Sequence, residues 1–454
     1  MSAAWRAVLG PELGLLLAVG AIATLACNSS SESDVRLKRS AEKPAVEVVE
    51  GSAQLDLGSA KEIEPNNEAA KATPLKLPIA VTGVLASSRD VDYFSFVAAK
   101  TGHVRVFLRP ADGADFMVTT SSADGEKTRV GDRGPNTGEG IPNLPVVKGE
   151  TTFVFVSEYV KQPKKRRRKG KKSKEAAPVV REGDSPPYQL EISVVPPPAV
   201  DGVDSEREPN DTLETAKEIL SGDRPGGYIG WTDDVDYYKL SLDGFGDEDL
   251  VEISIDGIDG VTLDLDLSGP DGKRVIRRKG TKGRPIYVRG LSVPDTEYLI
   301  AKVSAKRSHE SQRYRFHFAT RRLGPGDEIE PNDTAKKASM LGEAGDKEGT
   351  SQGEIVGSDV DWFLLPKSKT RRLVTATLER SGTVRIELDA VVAGDSLGTL
   401  RGDTRDIEVL VEPNARLRFK VTAKGGGAPA DYTLSWKTAE AEPAPEPDPL
   451  DQLE

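Results

Sequence analysis

The chain has 454 residues, which is enough for about three domains of ordinary size. Hydrophobic residues make up 37% of it, too many for a chain that is disordered throughout, and its 44 glycines and 30 prolines indicate many turns and few long helices. The formal net charge of -11 argues against nucleic acid as a partner and favours a cation. With one cysteine, the chain forms no internal disulfide and offers no cysteine-based zinc site.

The first residues have the pattern of a secretory signal peptide. Arg6 supplies a positive charge, and an apolar run follows at 13–26, shorter than the roughly 20 residues that span a bilayer. The sequence Thr24-Leu25-Ala26-Cys27 resembles the bacterial lipobox, in which the cysteine is lipidated. We therefore expect residues 1–26 to be a lipoprotein signal peptide and Cys27 to be the lipidation site. A plain secretory signal with an incidental cysteine is the alternative.

A serine-rich segment follows the cysteine, and residues 27–59 are predicted to form a flexible tether. Asn28, directly after the cysteine, is compatible with sorting to the outer membrane. We expect an exported lipoprotein that is anchored to the outer membrane. Whether it faces the periplasm or the exterior is left open.

Three sequence markers then recur in the same order three times. The first is an acidic Glu-Pro-Asn motif, the second is an Asp-Val-Asp-aromatic motif, and the third is a tyrosine that opens an alternating strand. The copies are Glu62–Asn67, Asp90–Phe94 and Tyr188; Glu206–Asp211, Asp234–Tyr238 and Tyr314; and Glu328–Asp333, Asp359–Phe363 and Tyr432. Such internal repetition predicts three copies of one structural unit.

Between these markers, apolar and polar residues alternate, as in the run 261–267. Strict alternation places one face of a strand on a core and the other in water. The sequence therefore predicts an all-β fold of three tandem antiparallel β-sandwich domains of jelly-roll type. We place these domains at 60–196, 204–321 and 326–438.

Two segments lie outside the repeat pattern. Residues 161–174 contain ten basic residues and are predicted to form a long loop of the first domain, either merely solvated or able to dock electrostatically onto a polyanion. Residues 439–454 are acidic and rich in proline, which predicts a disordered tail.

The acidic motifs are candidate metal ligands. Calcium takes six to eight hard oxygens from carboxylates, amides and carbonyls, and carboxylates clustered without a cation repel one another. The competing interpretation is that these residues form turns, with the aspartates making Asx turns before a strand. The sequence leaves both possibilities open.

The paired motifs resemble the bacterial pre-peptidase C-terminal domain, a family similar to the collagen-binding modules of bacterial collagenases. The resemblance covers nearly all of 60–438 and implies a non-catalytic, eight-stranded sandwich of the kind usually appended to secreted hydrolases. It also implies calcium ligands, which map onto Glu62, Glu64, Asn66, Asn67, Asp90 and Asp92; Glu206, Glu208, Asn210, Asp211, Asp234 and Asp236, with Asp233 in reach; and Glu328, Glu330, Asn332, Asp333, Asp359 and Asp361. Asn67 stands where the other copies have aspartate, so we expect the first site to be the weakest.

No catalytic constellation is evident in the sequence. His103, His309 and His317 are the only histidines, and none belongs to a Ser-His-Asp or Cys-His pattern. We therefore predict a non-catalytic envelope lipoprotein whose calcium-binding modules bind a surface polymer, such as a polyanion, or a protein. The alternatives are a structural spacer and an accessory subunit of a secreted hydrolase.

Overall fold

The computed structural model describes residues 57–122, 125, 127–131, 133–159, 181–196, 205–206, 208–293, 296–324, 326–355, 359–380, 385–400, 406–424 and 430–442. These residues form strands throughout, apart from one turn of 3-10 helix at Ala69–Lys71, which confirms the predicted all-β sandwich fold. The predicted signal peptide with Cys27, the predicted tether up to residue 56, the basic segment 161–174 and the predicted tail beyond residue 442 lie outside the described residues. Within the described part of the chain, no helix is long and apolar enough to cross a membrane.

The first sandwich has ten strands. They are β1 (Gly58–Lys61), β2 (Thr73–Pro74), β3 (Ile79–Gly83), β4 (Val91–Val97), β5 (Gly102–Leu108), β6 (Phe116–Ser121), β7 (Lys127–Val130), β8 (Glu139–Val146), β9 (Thr151–Glu158) and β10 (Tyr188–Val195). One sheet has the order β1-β3-β10-β5-β8 and the other has the order β2-β4-β9-β6-β7. Buried residues of both sheets, such as Val81 and Val156, belong to one hydrophobic core.

The second sandwich repeats this arrangement, and the pairing made by β1 is represented among the described residues by the parallel bridge between Ser205 and Gly226. Its strands are β11 (Lys217–Ile219), β12 (Gly226–Gly227), β13 (Val235–Ser241), β14 (Asp249–Ile255), β15 (Leu263–Ser268), β16 (Arg274–Lys279), β17 (Ile286–Leu291), β18 (Tyr298–Ala305) and β19 (Tyr314–Arg322). The sheet orders are β11-β13-β18-β15-β16 and β12-β19-β14-β17. Its core includes Tyr238, Leu265 and Phe316, all with no exposed surface.

The third sandwich has the same two sheet orders in its own strands. These are β20 (Ser339–Met340), β21 (Glu348–Ile355), β22 (Val360–Leu364), β23 (Arg372–Arg380), β24 (Arg385–Val392), β25 (Asp395–Leu400), β26 (Asp406–Val411), β27 (Leu417–Lys424) and β28 (Ala430–Glu440). They assemble as β20-β22-β27-β24-β25 and β21-β28-β23-β26 around a third core. The matching strand orders explain the three-fold repetition of the sequence. The boundaries predicted at 60–196, 204–321 and 326–438 stay predictions.

Alternation decides which side chains reach each core. Along β4, Asp92, Phe94 and Phe96 are buried, whereas the residues between them are half-buried. The same pattern recurs in β13, and it places an aspartate, Asp236, at the first inward position. A carboxylate therefore points inward at one end of each sandwich, where an apolar side chain would satisfy the pattern equally well.

Candidate metal centres

The two acidic motifs of each sandwich are tied together by one backbone hydrogen bond. The amides of Tyr93, Tyr237 and Trp362, in the second motif, donate to the carbonyls of Asn66, Asn210 and Asn332, in the first motif, at 2.9, 3.0 and 3.2 Å. These three asparagines have no exposed surface. Each asparagine thus anchors a segment that precedes the sandwich to the start of its aspartate-bearing strand.

Inside the first motif, the second glutamate folds back on the backbone. The amides of Asn66, Asn210 and Asn332 donate to the carboxylates of Glu64, Glu208 and Glu330 at 2.9, 3.0 and 2.7 Å. The peptide bond between each of these glutamates and the following proline is cis. The same local geometry therefore places a glutamate carboxylate beside the inward aspartate in all three copies.

A tyrosine completes each site. The hydroxyl groups of Tyr188, Tyr314 and Tyr432 donate to Asp92, Asp236 and Asp361 at 2.6, 2.5 and 2.6 Å. All three aspartates are fully buried. In the sequence, these tyrosines are only markers of a closing strand. Their recurrence in all three copies was the available signal for a role in the site.

Glu62, Glu64 and Asp92 form the first acidic cluster, since one carboxylate oxygen of each lies within 4.8 Å of the others. Glu64 is exposed and Glu62 is half-buried, so this cluster opens to solvent. With its amide oriented to satisfy both partners, Asn66 donates to Asp92 Oδ1 at 3.2 Å and to Glu64 Oε2 at 3.3 Å.

Asn67 and Asp90 lie beside the first cluster and bond to each other. The Asn67 amide donates to Asp90 Oδ1, and the backbone amide of Ala86 donates to Asp90 Oδ2 at 2.7 Å. Asp90 therefore helps to build the turn that leads into β4.

The second cluster is the most enclosed. Glu206, Glu208 and Asp236 form one group of converging oxygens, and Glu208, Asp211 and Asp234 form another. All of these residues except the half-buried Asp211 are buried. Asp233 lies outside both groups, because it is exposed and adopts a left-handed turn with φ of 69°.

One oxygen of Asp234 has no donor. Its Oδ2 accepts a hydrogen bond from the backbone amide of Gly230, whereas its Oδ1 is buried and accepts none. A buried carboxylate oxygen without a hydrogen bond or a cation is costly, so this atom is suited to binding a cation.

The third cluster contains Glu330, Asp359 and Asp361, all of them buried. Glu328 adjoins it and accepts hydrogen bonds from Asn332 at 2.7 Å and from the Tyr432 hydroxyl at 3.2 Å. Asp333 is half-buried at its rim. In each copy, the fold thus brings glutamates of the first motif close to the inward aspartate of the second, whereas Asp90 lies beside its cluster and Asp233 lies outside.

Burial makes these clusters unfavourable as groups of free anions. It raises the pKa of Asp92 to about 8, of Glu208 to about 9, and of Asp236 and Glu328 to about 7. Neighbouring carboxylates add to the burial effect: Glu62 raises the pKa of Asp92, and Glu330 raises that of Glu328. A cation placed among the oxygens would offset both effects, so the buried acidic clusters could bind a metal.

Two further residues reach these clusters from the preceding sandwich. Asn143, in β8 of the first sandwich, donates from Nδ2 to Glu206 Oε1 at 2.7 Å in the second. Arg278, in β16 of the second sandwich, lies 2.6 Å from Glu330 Oε1 in the third. Neither residue could be recognised from the sequence, because neither belongs to a repeated motif.

Comparison with known proteins identifies no family for this chain. No protein-family model matches it, and no curated protein matches it. Among solved structures, the periplasmic g-type lysozyme inhibitor PliG of Aeromonas hydrophila is 13% identical over 22% of this chain and 96% of its own, with a TM-score of 0.20. The CUB1-EGF-CUB2 region of human MASP-1/3 is 8% identical over 46% of this chain and 94% of its own, with a TM-score of 0.17. The corresponding region of rat MASP-1 is 8% identical over 49% and 99%, with a TM-score of 0.15.

Proposed function

We propose that this protein is a non-catalytic, calcium-binding lipoprotein of the cell envelope, built from sandwiches of the pre-peptidase C-terminal type. The observation that carries the proposal is the acidic cluster around a buried aspartate that recurs at the same place in each sandwich. Its oxygens come from glutamate and aspartate carboxylates, with an asparagine buried beside them, and such hard oxygens are the ligands that calcium prefers. The recurrence itself favours a repeated binding module over a single catalytic cleft.

Calcium is favoured over smaller divalent cations by the number and variety of oxygens. In the second cluster, two groups of acidic residues share Glu208, and Asn210 lies fully buried beside them. Calcium accepts such crowded and irregular shells, whereas magnesium demands a near-ideal octahedron and keeps several waters. Calcium modules outside the cell typically bind with Kd values of about 10⁻⁴–10⁻³ M.

Thermal unfolding of the full chain tests the calcium proposal. A ligand that binds the folded state alone stabilises it by RT ln(1 + [L]/Kd), about 2.7 kcal/mol at a hundredfold excess over Kd. Calcium should therefore raise the melting temperature by several degrees above its value in EDTA, and magnesium at the same concentration should do so less. Identical melting curves in EDTA and in excess calcium would show that the acidic motifs are turn-forming residues.

The partner that we propose is a surface polymer of anionic character, or an envelope protein, held by the sandwiches and the basic segment 161–174. Binding to anionic polymer should fall steeply with ionic strength, because it depends on charge attraction. Co-sedimentation of the soluble chain with lipopolysaccharide, compared with a variant lacking 161–174, tests this part. Equal binding by both proteins would exclude the basic segment as the contact.

A structural spacer is the second candidate, and the contacts between consecutive sandwiches favour it. Asn143 and Arg278 each join one sandwich to the acidic cluster of the next. We call these two contact regions the first joint, at Asn143, and the second joint, at Arg278. A protein that acts only through separate ligand-binding modules does not require such joints. A spacer would bind no envelope polymer or protein, which the co-sedimentation experiment and affinity capture with single-sandwich deletions would reveal.

A further inference from the structure

The two joints between sandwiches present different chemistry to equivalent acidic clusters. At the first joint, Asn143 places a neutral amide 2.7 Å from Glu206 Oε1 and 3.5 Å from Glu208 Oε1. At the second joint, Arg278 places a positive guanidinium against the third cluster. The identity of the intruding side chain therefore decides whether the cluster already has a cation.

Arg278 touches three carboxylates of the third cluster. Its Nη2 lies 2.6 Å from Glu330 Oε1 and 3.3 Å from Asp359 Oδ1, and its Nη1 lies 3.5 Å from Asp333 Oδ1. The Arg278 side chain is only 14% exposed. Burial alone would lower the pKa of its guanidinium, but Asp359 and Glu330 more than reverse this effect, so the group stays charged among its partners.

Backbone hydrogen bonds hold the Glu330 segment against the end of β17, the strand that follows the one carrying Arg278. The amide of Glu330 donates to the carbonyl of Gly290 at 2.8 Å, and the amide of Ser292 donates to the carbonyl of Glu330 at 2.8 Å. Gly290 has a φ of 62°, and a Cβ at that position would lie 2.4 Å from the carbonyl oxygen of Glu328. The close approach of the third sandwich to β17 therefore requires glycine at this position.

At the register position of Arg278, the described part of the first sandwich has a valine. In the cross-strand pairing of the second sandwich, Arg278 is opposite Leu265, Leu265 is opposite Val303, and Val303 is opposite Asp236. The same path in the first sandwich runs from Val130 through Val118 and Val156 to Asp92. Val130 therefore occupies the position of Arg278, and it is fully buried in the first core.

The first joint contains buried polar atoms without hydrogen-bond partners, as the third cluster does at Asp361 Oδ1, but no arginine is seen against its carboxylates among the described residues. Asn143 Oδ1 and Asp234 Oδ1 are both buried and accept no hydrogen bond. Asn143 is 7% exposed and Asp234 is 0% exposed. The amide group of Asn143 already lies against Glu206, and rotation of its terminal torsion would turn its oxygen toward the same carboxylates. That oxygen would become an additional ligand for a cation bound among them.

We propose that the second cluster is an inter-sandwich calcium site completed by Asn143, whereas the Arg278 guanidinium takes the place of calcium in the third cluster. This inference rests on the proposed function, which supplies calcium as the cation. It assigns the two joints different requirements: calcium holds the first sandwich to the second, and an internal cation holds the second to the third. It also places the metal-free cluster in the third sandwich, although its acidic motifs are complete in sequence.

Calorimetric titration of the full chain with calcium tests the inference through matched variants. Asp236→Asn and Asp361→Asn remove the same inward carboxylate from the second and third clusters, with almost no change in side-chain size. Asp236→Asn should reduce the number of calcium ions bound per chain, and Asp361→Asn should leave that number unchanged. Arg278→Gln should add calcium binding, and this gain should disappear in the double variant Arg278→Gln/Asp361→Asn.

Two further variants address position and folding. Arg278→Lys keeps a positive charge at the third cluster and should gain no calcium, which separates loss of charge from loss of packing. Asn143→Ala should weaken calcium binding at the second cluster by about tenfold, in the range seen when a supporting group of a metal site is lost. Circular dichroism of each variant establishes that its sheets are intact.

The outcomes separate this inference from the proposed function. Loss of bound calcium in Asp361→Asn with Arg278 in place would overturn the inference and leave the calcium proposal standing. Absence of calcium binding by the wild type and by every variant would overturn both. A stoichiometry that falls with Asp236→Asn, ignores Asp361→Asn and rises with Arg278→Gln would establish the two kinds of joint.

Discussion

The hydroxyl of Tyr314 donates a hydrogen bond of 2.5 Å to the buried carboxylate of Asp236, although the two residues are far apart in sequence. Tyr238 lies 2.7 Å from the same hydroxyl, so two tyrosines of the core extend toward one carboxylate. Tyr188 and Tyr432 make the corresponding bonds to Asp92 and Asp361. The acidic clusters are therefore continuous with the hydrophobic cores, and the stability of each sandwich depends on its cluster.

The first prediction follows from this continuity. Tyr314→Phe leaves the ring in the core but removes the donor to Asp236, and an unsatisfied buried partner costs about 1–3 kcal/mol. We expect the free energy of unfolding in EDTA, measured by urea denaturation, to fall by that amount. Tyr298→Phe, at a half-buried tyrosine of the same sandwich, is the control and should cost less. Equal losses in the two variants would contradict the role assigned to Tyr314.

The fold could be predicted from the sequence because the alternation of apolar and polar residues and the repeated motifs are both visible in the chain itself. The run 261–267 alternates strictly, and its residues from Leu263 onward lie in β15, where Leu263, Leu265 and Leu267 are buried. The repeated motifs also selected the residues that converge in space, since each motif lies at a fixed place relative to its strands. Asp236 was selected in this way, as part of the Asp-Val-Asp-aromatic motif, and the structure places it at the first inward position of β13.

The joints between sandwiches were not accessible from the sequence. Asn143 and Arg278 act on clusters that belong to other repeats, and no local pattern relates them to their partners. Val130 and Arg278 occupy equivalent positions but share neither charge nor polarity. Only the packing of one sandwich on the next reveals which side chain enters a cluster.

The second prediction concerns pH. A carboxyl group whose pKa is raised in the folded state binds its proton more tightly there than in the unfolded chain, so its contribution to stability is fully present below the unfolded pKa of about 4. That contribution is lost as the pH rises through the folded values, which are about 7 for Asp236 and about 9 for Glu208. In EDTA, the melting temperature should therefore fall between pH 5 and pH 9.

Calcium and substitution should both change the slope of the melting temperature against pH. Calcium should flatten it, because the cation favours the ionised carboxylates that the metal-free cluster opposes. Asp236→Asn should flatten the slope in EDTA, since one of the titrating groups is gone. A melting temperature in EDTA that rises from pH 5 to pH 9 would show that the clusters keep their charges without a cation.

The third prediction concerns the membrane anchor. If Cys27 is lipidated, Cys27→Ser should move the protein from the membrane fraction to the soluble fraction of the producing bacterium. Ser33→Ala, in the segment that follows, is the control and should leave the protein with the membrane. Membrane association of the Cys27→Ser protein after a high-salt wash would mean that another element anchors the chain.

The last prediction concerns the two joints as mechanical elements. Lys148, Lys282 and Glu412 are exposed residues of the first, second and third sandwiches. Spin labels on cysteines at positions 148 and 282 report the first joint, and labels at 282 and 412 report the second, in a background without Cys27. Pulsed electron paramagnetic resonance gives the distribution of distances between the two labels of each pair.

Calcium should narrow the distribution for the first pair, because Asn143 and the second cluster then share one cation. The second pair should give the same narrow distribution in EDTA and in calcium, since Arg278 supplies the positive charge in both conditions. Arg278→Gln should broaden the second distribution in EDTA, and calcium should then narrow it again. A first joint that is equally narrow in EDTA would show that its other contacts, such as the bond from the Thr232 amide to the Arg129 carbonyl at 2.9 Å, suffice without a metal.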